Sequence, residues 1–176
     1  SASGAVVNLE PPYLTKVCAF TDTTLEFMNK TAGAVSDLEF TFKLGPTAIS
    51  GVSQVVLQLP EYDSTIVTNE ERDLSAYLSG VSSTNWTVRA QLSLITFTYV
   101  GEQDETTSGG AQTLYLSSGA GYKVPVGGIL SGDTFGVKTV SSLCLQSTYQ
   151  MVGYSHLIPR LYSPRTTHDP LIPNPY

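Results

Sequence analysis

Charged side chains are scarce in this sequence. They make up 14% of its 176 residues, against about 25% in ordinary soluble domains. Nine are Lys or Arg and fifteen are Asp or Glu, for a net charge of −6. The basic residues are spread from Lys16 to Arg165 without a cluster. Binding to a phosphate backbone needs clustered Lys and Arg, so nucleic acid is not an expected partner. Long apolar runs are missing as well: none approaches the roughly 18 residues of a membrane span, and no span is expected. A signal-peptide pattern is also lacking. The chain starts Ser1-Ala2-Ser3-Gly4 without Met, which fits a processed mature form.

Histidine is equally sparse, limited to His156 and His168. A Ser-His-Asp constellation needs its base on a rigid element, and both histidines lie in or beside a proline-rich end. The chain has no Gly-x-Ser-x-Gly elbow, Cys-x-x-Cys, His-Glu-x-x-His or EF-hand loop. Gly127-Gly128 and Ser108–Ala111 lack the Gly-Lys-Ser/Thr of a phosphate cradle and read as turns. His168-Asp169 has no further spaced ligand. The acidic groups Glu61/Asp63, Glu70/Glu71/Asp73 and Glu102/Asp104/Glu105 read as solvated loops, with Glu102–Glu105 the best calcium candidate among them. No catalytic residue, cofactor or metal site is expected, and enzymatic activity is not.

Thr and Ser are abundant, at 21 and 20 residues, and ten Tyr accompany them. Such side chains suit pleated, half-buried surfaces and keep an extracellular surface soluble through hydroxyls. Period two dominates. Leu38, Phe40, Phe42 and Leu44 alternate with Glu39, Thr41 and Lys43; Val55, Leu57 and Leu59 alternate up to Pro60. Trp86, Val88, Ala90, Leu92 and Leu94 keep one phase, which then slips to Ile95, Phe97 and Tyr99, predicting a bulge or a crossing between sheets. Further strands are predicted at Leu14–Phe20, Thr24–Met28, Thr113–Ser117, Tyr122–Val126, Thr134–Val140 and Leu143–Met151. One short helix is predicted over Asn69–Leu78. Turn chemistry at Gly45-Pro46, Gly119-Ala120-Gly121 and Ser131-Gly132-Asp133 separates the strands. The fold class expected is all-β: a two-sheet antiparallel sandwich, immunoglobulin-like or jelly-roll, with extended arms. The expected division is an N-terminal arm over 1–12, the sandwich over 13–156 and a Pro-rich C-terminal arm over 157–176.

Five of the ten prolines fall in that last arm: Pro159, Pro164, Pro170, Pro173 and Pro175. They favour extended, polyproline-like backbone. The arm also carries Leu157, Ile158, Leu161, Tyr162, Leu171, Ile172 and Tyr176, more apolar surface than a flexible linker would hold. At the other end Val6, Val7 and Leu9 form a strand-like stretch cut off by Pro11-Pro12. These ten residues are the candidate subunit-interface residues. Insertion of an arm into a neighbour, by strand addition or groove packing, is the leading expectation; folding back over the chain's own sheet edges is the alternative. A head-to-tail link of that kind builds a homo-oligomeric filament.

The run Leu38–Leu44, followed by Val55–Pro60 and by Gly127-Gly128-Ile129-Leu130-Ser131-Gly132-Asp133-Thr134-Phe135, resembles the strands and late turn of secreted β-sandwich modules in surface and appendage proteins. The resemblance covers residues 35–140. With the terminal arms it is similar to subunits of extracellular fibrils joined by strand exchange. It implies a structural subunit of an extracellular filament or surface assembly. The alternative is a carbohydrate-binding or adhesin-type sandwich, with Tyr115 and Tyr122 as surface aromatics and Trp86 in the core. Two sequons, at Asn29 and Asn85, are candidate glycosylation sites for an extracellular or cell-surface location, where glycans are possible partners.

Cys18 and Cys144 sit near the two ends of the domain and are expected to form one disulfide in an oxidising compartment. A loop of that length is stabilised by up to about 5 kcal/mol. Intact-mass analysis after thiol alkylation, with and without reductant, checks it: both cysteines should be labelled only after reduction.

Overall fold

A computed structural model describes residues 20–44, 54–80, 82–101, 110–140 and 148–161. It is all-β, as the alternation predicts. The strands are β1 (Phe20–Phe27), β2 (Leu38–Leu44), β3 (Gln54–Gln58), β4 (Arg72–Asp73), β5 (Leu78–Ser79), β6 (Trp86–Gln91), β7 (Leu94–Tyr99), β8 (Gln112–Leu116), β9 (Thr134–Val140) and β10 (Gln150–Gly153). They form a four-stranded sheet, β1-β2-β8-β5, and a six-stranded sheet, β10-β9-β3-β7-β6-β4. All pairings are antiparallel. Among the described residues no helix is long and apolar enough to cross a membrane.

In the central strands, inward residues meet their partners' inward residues in register. Leu25 and Phe27 of β1 lie opposite Phe40 and Leu38 of β2. On the other side of β2, Phe40 and Leu38 face Leu114 and Leu116 of β8. In the larger sheet Val55 and Leu57 of β3 pair with Phe97 and Ile95 of β7, and Val88 of β6 pairs with Phe97. All these side chains are buried. Between the sheets, Phe40 stacks on Phe97 with centroids 5.6 Å apart, and Phe42 meets Trp86 edge-on at 5.7 Å. Removing one buried phenyl ring from such a core costs about 3–5 kcal/mol. The outer face of the smaller sheet is held by hydroxyls: Thr41 Oγ1 and Thr113 Oγ1 lie 3.0 Å apart across β2 and β8.

Three local expectations change. The phase slip after Leu94 is neither a bulge nor a crossing but a hairpin. Leu92-Ser93 form a two-residue turn, and Gln91 pairs with Leu94, Ala90 with Ile95 and Trp86 with Tyr99. Cross-strand partners around a two-residue turn have opposite parity, so the inward face passes from even to odd numbers. No glycine or asparagine marks the turn; Leu92 itself takes φ 50°. The helix predicted over Asn69–Leu78 is replaced by β4, a 3-10 turn at Ser75–Tyr77 and β5. Tertiary pairing overrides the local pattern there, because Arg72 pairs with Ala90 and the Leu74 amide donates to the Val88 carbonyl at 2.9 Å. Tyr122–Val126 is not a strand; Tyr122 and Lys123 make single bridges to Ser64 and Val35.

The left-handed backbone at Leu92 generates a stability prediction. A side chain bearing a Cβ is strained there, and Leu92 is exposed. Leu92→Gly is expected to stabilise the domain by about 0.5–1 kcal/mol, while β-branched Leu92→Ile should destabilise it by about 1 kcal/mol. Thermal melts of the two variants beside the parent check the opposite signs.

Candidate functional site

One pole of the sandwich gathers the segment after β3 (Pro60–Asp63), the loop between β8 and β9, and the end of β10. Two adjoining hollows open there. The first, about 300 Å³, is lined by Pro60, Glu61, Pro125, Ile129, Asp133, Met151 and Tyr154 among others. The second, about 370 Å³, shares Pro60, Glu61 and Pro125 and continues past Asp63 and Val126. Together they make a groove with apolar walls and carboxylates along it.

The groove is built from the sequence in a few steps. Pro60 ends β3 because it cannot extend a ladder. Asp133 closes the turn before β9: its amide donates to the Leu130 carbonyl at 3.1 Å, and its carboxylate accepts from the Leu130 amide at 2.7 Å. Asp63 accepts from the Lys123 ammonium at 3.0 Å. Tyr154, just after β10, rests edge-on against the core ring of Phe135 at 5.1 Å. Burial raises its hydroxyl pKa, and the nearby charges of Asp133 and Glu61 push it further the same way. The phenol therefore stays neutral and available as a donor. Among the described residues no cluster of three or more His, Cys, Asp or Glu is placed to hold a metal ion. The groove can accept apolar side chains along Pro60, Pro125, Ile129 and Met151 and a cation beside Glu61 and Asp133.

The chain's departure point adjoins this groove. The Ile129 amide donates to the Ile158 carbonyl at 2.8 Å, and the Ile158 amide returns a bond to the Ile129 carbonyl at 2.9 Å. Arg160 Nε donates to the Gly127 carbonyl at 3.1 Å. Gly128 has φ +75°, and a Cβ there would collide with the Ile158 carbonyl. Glycine is thus needed for the segment to lie this close.

Ile158, counted from sequence with the arm and the interface, is 1% exposed and belongs to the domain's own core. Its apolar side chain found shelter in the body it comes from, so the packed sandwich extends past residue 156. Its neighbours Leu157 and Leu161 are 61% and 65% exposed. The other interface candidates, Val6, Val7, Leu9, Tyr162, Leu171, Ile172 and Tyr176, lie outside the described residues, as do Cys18, Cys144, His168 and the Glu102–Glu105 loop. Asn29 is exposed in the turn after β1; its carboxamide donates to the Val35 carbonyl at 3.2 Å and accepts from the Thr31 amide at 3.0 Å. Asn85 is half-buried in a 3-10 turn just before β6. His156 is exposed, with Nδ1 3.5 Å from Glu26 Oε1.

The two tyrosines expected at the surface are placed otherwise. Tyr122 is buried, its hydroxyl pKa raised by burial. Tyr115 is half-buried, and its hydroxyl donates to Asp37, which also accepts from the Ser118 amide. Asp37 and Tyr115 are 78 residues apart in sequence, so no local pattern announces the pair. Nor does one announce Met151 and Tyr154 as groove residues. Comparison with protein-family models, curated proteins and solved structures finds no match for this chain.

The Asp37 site yields a pH prediction. The Tyr115 hydroxyl bond, opposed by partial burial and aided by the Ser118 amide, holds the Asp37 carboxyl below the ordinary aspartate value. A depressed folded pKa gives stability that is complete above the unfolded pKa and is lost as pH falls through the folded one. Tyr115→Phe is expected to cost about 1 kcal/mol at neutral pH, with the gap to the parent narrowing as the pH falls below the ordinary aspartate value of about 3.9. Urea melts of both proteins across the acid range check it.

Proposed function

We propose that this chain is a structural subunit of an extracellular filament or surface assembly, joined to its neighbours through its terminal arms by strand addition or groove packing. The carrying observation is the anchored exit of the C-terminal segment. Ile158 is clipped to Ile129 by two hydrogen bonds, while Leu157 and Leu161 on either side face outward. A firmly held base followed by a proline-rich, apolar sequence is the layout of an arm that docks elsewhere. The sheet edges lend further support. β1 and β10 end their respective sheets, and the Gln150 side chain reaches the Phe20 carbonyl at 3.4 Å. Among the described residues no strand pairs with the outer side of either, and unpaired edges are templates for strand addition. Tyr122 is buried and Tyr115 is committed to Asp37, so neither tyrosine favours the sugar-binding alternative.

Ending the chain after Leu161 tests the reading. Sedimentation velocity and negative-stain microscopy should show oligomers for the full chain and mainly monomers for the shortened one. Assemblies unchanged by removing residues 162–176 and then residues 1–12 would overturn it.

A further inference from the structure

The turn between β1 and β2 carries the first of the two sequons, and its geometry sets it apart from the second. We propose that Asn29 is an N-glycan acceptor of this domain and that Asn85 is not. The inference goes beyond the arm-linked reading above and shares with it only the extracellular route.

Asn29, Lys30 and Thr31 are all exposed. The turn beneath them is firmly built. The Asn29 amide donates to Ser36 Oγ at 2.9 Å, the buried Ser36 hydroxyl donates to the Asp37 carbonyl at 2.7 Å, and the Met28 amide donates to that same carbonyl at 3.0 Å. Lys30 folds back onto β1, with its ammonium on Glu26 at 2.6 Å and on the Phe27 carbonyl at 2.7 Å. Asn29 and Thr31 are left clear of it. The Thr31 amide donates to Asn29 Oδ1 at 3.0 Å, closing an Asx turn within the sequon. This bond fixes the carboxamide's orientation, because an amide N–H needs an oxygen and the Val35 carbonyl needs a nitrogen. Nδ2 therefore uses one hydrogen on Val35, at 3.2 Å, and has a second for substitution.

Transfer from a polyprenyl-pyrophosphate-linked oligosaccharide joins Nδ2 to the anomeric carbon of the sugar. The bond from that carbon to the pyrophosphate oxygen breaks, the pyrophosphate leaves with the electron pair, and Nδ2 gives up one proton. The remaining N–H keeps the bond to Val35, so the folded turn holds the sugar without rearrangement. Met28, the chain neighbour of Asn29, is 45% exposed, and Val35 is 38% exposed. A solvated sugar beside them hydrates apolar surface in a domain short of charge. Asn85 is placed differently. It is half-buried, and a Cβ added at Gly101 would lie 3.1 Å from its carboxamide carbon, with the Tyr99 hydroxyl nearer still. The Asn85 carbonyl accepts from the Val100 amide at 2.8 Å, Trp86 beside it is buried in the core, and Thr87 already lies in β6 opposite Thr98. A sugar on Asn85 would crowd the Tyr99–Gly101 end of β7.

The full chain, secreted from a eukaryotic host behind a removable signal sequence, tests this. Digestion with peptide N-glycosidase in heavy-oxygen water turns each sugar-bearing Asn into labelled Asp, which peptide mass spectrometry reads. The label is expected at residue 29 and not at residue 85. Asn29→Gln and Thr31→Ala should lose it, Thr31→Ser should keep it, and Asn85→Gln should change nothing. If Asn29→Gln is not secreted, the two Thr31 variants carry the test. A label on Asn85 alone, on both sequons or on neither would overturn the assignment. Sedimentation of the same samples separates this outcome from the assembly reading. A labelled chain that stays monomeric rejects arm-linked assembly and leaves the glycan site standing, whereas oligomers without the label do the reverse.

Discussion

The aromatic contact between the two sheets is the constraint on which the rest of the fold depends. Phe40 and Phe42 project from β2 of the smaller sheet onto Phe97 and Trp86 of the larger one, and Phe20 and Tyr99 extend the contact at its margins. Aromatic rings give much apolar area per residue and prefer defined offset or edge-on geometry. They therefore set sheet spacing as well as stability. A chain with few charges has little surface electrostatics to fall back on: exposed pairs such as Arg89–Glu71 at 2.6 Å are screened by solvent and contribute little. Stability comes from the interior.

Because the sheets are fixed by β2, β6 and β7, the loops at the Tyr154 pole can carry the shape of the surface. Tyr154 belongs to both regions, with its ring on Phe135 and its hydroxyl in the field of Glu61 and Asp133. The apolar surface at this pole is substantial: Val126 is 71% and Met151 52% exposed. Both line the hollows beside the Ile129–Ile158 clip, so exposed apolar side chains and the clip lie together. Charges of both signs lie beside them: Glu61 and Asp133, the Lys123–Asp63 pair, and Arg160 on the Gly127 carbonyl.

Much of the fold was legible in the sequence because it follows parity. The alternation of Leu38, Phe40, Phe42 and Leu44 became β2, buried on one face as expected, and Trp86 went to the core in phase with Val88. What misled was punctuation. The Leu92-Ser93 turn uses a leucine where turn chemistry favours glycine or asparagine, so only the parity change betrayed it. Asn69–Leu78 has helix-like spacing, yet pairing with β6 decides its conformation. The groove was nearly invisible. Pro60, Pro125, Asp133, Met151 and Tyr154 come from distant stretches and share no spacing. Ile158 looked like part of a greasy arm, because nothing local shows that Gly128 leaves room for it.

The Ile129–Ile158 clip also has a mechanical meaning. On the way to Leu161 the described chain is held by these two backbone hydrogen bonds and the Arg160–Gly127 contact. Each such bond contributes about 1 kcal/mol net, far less than the interlocked rings behind it. The Ile158 side chain at the clip is itself part of the core, so drawing the segment out uncovers that side chain as well as breaking the bonds.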